Sequence, residues 1–286
     1  MTSDVAPFRV RTLSETPSVS LALFDHPHGA TLGEPSQEQA AAQLQINVVR
    51  SGWFRLGYEG REWTLGEGSF FLSRPGDVYT YAHLRHVEPD ACLSLGFAQA
   101  VAGGELAAVF ARLPLVPPVT NRLAFLRLRL GSWARDDLDD LPLSLETLAF
   151  ELVDALDAAA ESARDDRRRV CPVYRPRQLQ WYADRIAAAR ELMDASPARH
   201  HSLPNLASHV AMSPFAFARV FRELVGLPPH RYLVRVRLQR ARALLESGTS
   251  VTAACYASGF NNLSHFIRTF RAHFGVAPSK VKAPRR

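Results

Sequence analysis

One stretch of this chain is written twice. Shifting the C-terminal part by 49 residues lays Phe217 on Phe266, Arg219 on Arg268, Phe221 on Phe270, Arg222 on Arg271, Gly226 on Gly275 and Pro229 on Pro278. Six coincidences in thirteen positions, in the same order, mark a duplicated structural device. Whatever the fold is, it has to place two copies of one small unit side by side.

The first copy reads as two helices. Leu203 to Ala211 forms a short helix, Met212-Ser213 a turn, and Ser213 followed by Pro214 gives an N-cap with proline at the first helical position. The next helix runs to Leu224 or Val225. Phe217, Phe221 and Leu224 share one face and should pack against Leu206 and Val210, which leaves Phe215, Ala218, Arg219 and Arg222 facing out. In the second copy Val251 to Ala257 is the short helix and Ser258-Gly259-Phe260 the turn, and Asn261 or Asn262 caps a helix to about Phe274. Phe266 and Phe270 face inward; Leu263, Ser264, His265, Arg268 and Arg271 face out.

A short helix, a tight turn and a second helix with a basic outer face is a helix-turn-helix, whose second helix enters the DNA major groove. Between the copies, Pro229 to Glu246 reads as one helix. Its 18 residues span about 27 Å, close to the roughly 34 Å between successive major-groove faces. One chain could therefore read two adjacent groove segments.

Charge supports that partner. The net charge of +6 is modest, but residues 171 to 286 hold 18 of the 34 basic residues and 5 of the 28 acidic ones, a net +13 that leaves −7 for residues 1 to 170. Such asymmetry marks a polyanion-binding domain joined to something else, with double-stranded DNA ahead of an anionic membrane surface. Lys280 and Lys282 are the sole lysines, so nearly all of the charge is guanidinium, suited to bidentate contacts with phosphate or guanine.

The basic half, from about Tyr182 to Pro278, resembles the DNA-binding domain of AraC/XylS-type transcription regulators. The resemblance rests on Leu206-Ala207, Val210, Met212-Ser213, Phe217, Arg219, Phe221-Arg222, Gly226, Pro229, Tyr232-Leu233, Arg237-Leu238, Ala241, Leu244-Leu245, Val251, Gly259-Phe260, Ser264, Phe266, Arg268, Phe270-Arg271, Phe274-Gly275 and Pro278-Ser279. Ala254 and Cys255 depart from it, standing where the family usually has Ile and Ala. The resemblance implies that Phe215, Ala218 and Arg219 face bases from the first unit, and Leu263, Ser264 and Arg268 from the second. Ser213, Arg222, Asn262, His265 and Arg271 complete the expected DNA-binding set. Ala218 and Leu263 suit thymine methyl groups, Arg219 and Arg268 base edges, and Arg222 and Arg271 phosphate or solvent.

The acidic half reads differently. Strand-like runs cover Gln45 to Tyr58, Arg61 to Leu65, Ser69 to Ser73, Val78 to His83 and Ala91 to Phe97, punctuated by Ser51-Gly52, Glu59-Gly60 and Arg74-Pro75-Gly76-Asp77. Short strands at about ten-residue spacing suggest a sandwich or small barrel. The series Gly57 to Arg61, Leu65 to Ser69 and Pro75 to Asp77 resembles the cupin-like sensor domain of many such regulators. The expected fold is thus a cupin-like β-barrel or jelly roll with a helical segment, followed by an all-α domain with two helix-turn-helix motifs.

The boundaries fall at 1–140 for the sensor, 141–163 for an amphipathic helix, 164–176 for a linker and 177–286 for the DNA-binding domain. Leu141, Leu145, Leu148, Leu152, Ala155 and Ala159 form the helix's apolar stripe behind a Ser144 cap; the stripe either packs on its own β domain or makes a dimer contact. The linker holds Asp165, Asp166, three consecutive arginines and two prolines.

Enzymatic cupins hold a metal with an HxH pair, a Glu and a later His on their strands. Here the sole HxH, His26-Pro27-His28, lies upstream of the strands; His83, His86 and Cys92 lie elsewhere. The motifs therefore call for no catalytic set, metal or cofactor. An organic effector inside the barrel would touch Trp53, Trp63, Phe71, Tyr79 or Tyr81, with core packing the plainer role for each. Three cysteines (Cys92, Cys171, Cys255) at wide spacing fit a reduced compartment, and no apolar run of about 18 residues appears, so a cytoplasmic location is expected. The reading is a DNA-binding transcription regulator, an activator by resemblance, with RNA polymerase, an effector and a second copy as further partners. Its rivals are a cupin metalloenzyme fused to a DNA-binding domain and an effector-independent DNA-binding protein.

Overall fold

Alternation dictates the first half. In the computed structural model, which describes residues 9–25, 39–84, 90–133, 142–164 and 173–281, the chain divides into two compact units, Met1–Arg175 and Pro176–Arg286. The first unit contains β1 (Arg9–Glu15), β2 (Val19–Asp25), β3 (Gln39–Ala40), β4 (Gln45–Ser51), β5 (Trp53–Tyr58), β6 (Arg61–Gly66), β7 (Phe70–Ser73), β8 (Val78–His83) and β9 (Ala91–Phe97). They form two antiparallel sheets, ordered β1-β2-β9-β4-β7 and β3-β8-β5-β6.

The two sheets share a core. In β5, Phe54 and Leu56 are buried while Trp53 and Arg55 are exposed, and directly opposite residues of antiparallel strands share a face. Phe54 and Leu65, and Leu56 with Trp63 and Tyr81, therefore project inward together. They meet Val49 and Phe71 of the other sheet in one apolar cluster, with the Phe71 ring set edge-on to Phe54 at 5.9 Å. The link from β4 to β5 demands glycine: Gly52 has φ +82°, and a Cβ there would overlap the Asp90 carboxylate. That carboxylate is buried and accepts a hydrogen bond from the Trp53 amide at 2.9 Å.

Three helices follow the strands: α1 (Gly104–Arg112), α2 (Asn121–Trp133) and α3 (Pro142–Arg164). The sequence reading anticipated α3 alone of these, and it anticipated neither β1 nor β2. Leu145, Leu148, Leu152, Ala155 and Ala159 of α3 are all buried, and α3 packs on α2 and β2. Arg129 of α2 pairs with Glu151 at 2.9 Å, and Arg112 of α1 makes a two-bond contact with Asp157 at 2.9 and 2.7 Å. The stripe's side chains are thus covered within the first unit itself. Leu141, the Ser144 side chain and residues 165–172 of the expected linker lie outside the described residues.

The second unit is helical throughout: α4 (Pro176–Ala195), α5 (Leu203–His209), α6 (Pro214–Val225), α7 (Pro229–Glu246), α8 (Val251–Ala257) and α9 (Leu263–Phe274), then a single 3-10 turn, Pro278–Lys280. Two aromatic cores organise it. Phe217 and Phe221 of α6 are wholly buried, Leu206 of α5 and Val210 just after it are buried too, and Phe221 meets Tyr232 of α7 edge-on at 5.6 Å. The second core joins Leu238, Ala241 and Leu245 of α7 to Ala254, Cys255, Phe260, Phe266 and Phe270. Tyr232 near the start of α7 thus meets one core, and Val234, Leu238, Ala241 and Leu245 further along meet the other.

Candidate nucleic-acid interface

The helices expected to read DNA are built to the same plan. Both α6 and α9 have 12 residues. Ser213 Oγ accepts a hydrogen bond from the Ala216 amide at 3.3 Å, and Asn262 Oδ1 accepts one from the His265 amide at 2.8 Å. Each side chain satisfies an amide that the first helical turn leaves unpaired. Gly226 (φ +84°) and Gly275 (φ +73°) end the helices in left-handed geometry. Asn262, not Asn261, is the cap.

Opposite the buried phenylalanines lies a basic face. Arg219 and Arg222 of α6 are exposed, as are Ser264, His265, Arg268 and Arg271 of α9. Among the described residues none of these four guanidinium groups has a carboxylate or carbonyl partner. Phe215, in the first turn of α6, is 82% exposed, the largest exposure of any large apolar side chain described. Ala218 is half-buried. Leu263 departs from the outward reading: it is half-buried and packs against the second aromatic core, because the first turn of α9 sits close to Phe260 and Phe266.

The aromatics of the first unit do not form one set. Trp63, Tyr79, Tyr81 and Phe71 project inward around Phe54, Leu56 and Leu65, beside Cys92. Trp53 stands on the other face of its sheet with its ring over Gly66, since strand residues alternate sides and Phe54 takes the inner one. Burial, and then the Asp90 carboxylate, push the Cys92 thiol up to about 12, so it is protonated near neutrality. At the β5–β6 hairpin a cavity of about 330 Å³ is lined by Tyr58, Glu59, Arg61, Glu62, Tyr79 and Thr80. Among the described residues no three of His, Cys, Asp and Glu converge as metal ligands. His26, His28, His86, Cys171 and the side chain of His83 lie outside those residues.

Several known proteins match the second unit. A model of the helix-turn-helix domain family matches residues 206–283, from within α5 to past the 3-10 turn. The C-terminal unit is a helix-turn-helix domain. An uncharacterized HTH-type transcriptional regulator of Haemophilus influenzae is 33% identical over 87 residues, 30% of this chain and 29% of that protein. The HTH-type transcriptional activator RhaS of Klebsiella pneumoniae is 26% identical over 253 residues, 84% of this chain and 85% of that one. The crystal structure of a probable AraC family transcriptional regulator from Rhodopseudomonas palustris has 34% identity, covering 34% of this chain and 94% of its own, with a TM-score of 0.33. Matches of about 29% of the relative's length recur for RhaS proteins of Escherichia.

Arg237 counts in the sequence only among the residues that carry the resemblance, with no role attached; the fold gives it one. Arg237, midway along α7, is spent on backbone carbonyls: its Nε donates to Pro197 O at 2.8 Å and Nη2 to Arg199 O at 3.0 Å. No spacing signal marks it, since its partners are 40 and 38 residues away and belong to the backbone.

Proposed function

We propose that this chain is a sequence-specific DNA-binding transcription activator that places α6 and α9 in two successive major-groove segments. The observation that carries the reading is the equivalence of the two helices: the same length, the same kind of cap at each end, and an exposed arginine at the same place in each. Arg219 and Arg268 address base edges, and Arg222 and Arg271 the flanking phosphates. Phe215 and Ala218 supply apolar contact to thymine methyl groups. Ser213 and Asn262 act as caps that hold the first turns in shape, and Ser264 and His265 lie beside Arg268. RNA polymerase and a second copy of the chain are the further partners of such an activator.

The first unit senses a small organic effector on the inner face around Trp63, Phe71, Tyr79 and Tyr81. An effector shifts activity by favouring one arrangement of the chain over another, and by no more than that difference in affinity. No helix among the described residues is long and apolar enough to cross a membrane, in keeping with action on DNA in the cytoplasm. Binding of fluorescent DNA selected from a random pool, measured at fixed salt, tests the reading. A two-part site bound at least about a thousandfold more tightly than random DNA is the expected result, and equal affinity for both overturns it.

A further inference from the structure

Three stretches of the second unit meet at the Arg237 guanidinium. The segment between α4 and α5 presents the Pro197 and Arg199 carbonyls, which accept from Nε at 2.8 Å and from Nη2 at 3.0 Å. The turn between α8 and α9 closes on the same place. Gly259, with φ +94°, lies so near that a Cβ would sit 2.6 Å from Ala198 Cα and 3.0 Å from both Arg237 Nε and Pro197 O. The backbone that leads into the first helix-turn-helix is thereby clamped to the turn of the second, with α7 running between them.

Apolar cores alone would not fix that relation. Burial is non-directional, and the two ends of α7 serve separate cores. A charged fork donating to two carbonyls is directional and resists rotation. Its anchor is itself held: Arg190 Nε donates to Tyr232 Oη at 3.1 Å, Tyr232 Oη meets the Asp194 carboxylate at 2.9 Å, and His201 Nε2 bonds Ser196 O at 2.8 Å. The end of α4 and the segment after it thus form a rigid base beneath α7.

We infer that Arg237 is a positioning residue that fixes the separation and angle between α6 and α9, and so sets the number of base pairs between the two halves of the DNA site. This rests on the reading that both helices enter DNA. One base pair moves a half-site about 3.4 Å along the axis and turns it by about 35°, so a joint loosened by a few ångströms accepts neighbouring spacings.

The test uses the full chain and the site it selects from random DNA, with one base pair inserted or removed between the halves. The unmodified protein loses on the order of a hundredfold on either altered spacing, the contribution of one half-site's bidentate contacts. Arg237→Lys, which keeps the charge and loses the fork, and Arg237→Ala reduce that penalty below about tenfold. Gly259→Ala strains the same joint from the other side and has the same effect. Arg240→Ala removes an exposed charge from the same helix and keeps the hundredfold penalty. Circular dichroism of each variant separates loosening from unfolding, and Arg237→Lys is the decisive one should Arg237→Ala unfold. Arg237→Lys with the full penalty, or Arg240→Ala relaxing it equally, overturns the inference. Failure of the unmodified chain to select any two-part site overturns the functional reading, and the inference with it.

Discussion

Arg219 and Arg268 occupy one position in two copies of the same device, and each stands free in solvent beside a second arginine one turn away. If the inner member of each pair reads a base edge, Arg219→Ala or Arg268→Ala costs about 1 to 3 kcal/mol of specific binding and relaxes preference at one position. Arg222→Ala weakens binding to all sequences alike and lowers the salt slope by about 1. Affinities for the selected site and its single-base variants, over a salt series, separate the two roles; equal loss on specific and random DNA for Arg268→Ala contradicts its assignment. Cys92 makes a second prediction at this scale. Its pKa is raised from an ordinary 9 to about 12 by burial and by Asp90. The stability that its neutral form contributes is therefore intact below about pH 9 and is lost as pH climbs toward 12. Alkylation of Cys92 at pH 8, followed by peptide mass mapping, should be at least about a hundredfold slower in the folded chain than in denaturant. Equal rates would show that the thiol is not buried as described.

The elements of the second unit were legible wherever a local backbone requirement dictated them. Ser213-Pro214, Gly226 and Gly275 each answer a need set within one helical turn, and the helices they bound appear within a residue or two of the expected ends. The repeat is also more regular than its 49-residue shift suggests. Ala211 (φ +52°) and Gly259 (φ +94°) are equivalent, each preceding an amide that bonds back to Ala207 or Cys255. The offset there is 48, and Asn261 is the extra residue that makes it 49. Reading failed where meaning depends on distant neighbours. The polar β1 (RVRTLSE) is exposed along most of its length and shows no strand alternation of apolar residues. In α1, Leu106 and Phe110 are spaced for a buried helical face, but the surrounding run of strands masked that signal. Trp53 was grouped with inward aromatics although strict alternation with Phe54 places it outside. Loss of either cap, Ser213→Ala or Asn262→Ala, should cost about 1 kcal/mol. Gly259→Ala should cost more, combining left-handed strain with contact at Ala198. Urea midpoints rank them, and a Gly259→Ala variant no less stable than the cap variants contradicts the packing described for that turn.

At the scale of the whole molecule the chain joins two kinds of order. Residues 1 to 170 carry −7 and residues 171 to 286 carry +13, a division close to the boundary between the compact units at Arg175 and Pro176. The basic unit carries exposed guanidinium groups on α6 and α9 and has two aromatic cores of its own. The acidic unit encloses Phe54, Phe71, Tyr79 and Tyr81 between two sheets and is electrostatically unsuited to phosphate. The net +6 is the difference between these two, and salt dependence should report the basic unit's share. The most direct test of the account is the equilibrium affinity of the full chain for its selected site and for random DNA of the same length at one salt concentration. The account predicts a two-part site with centres about one helical turn apart, preferred by at least about a thousandfold. A ratio near one, or a site with a single half, would contradict it.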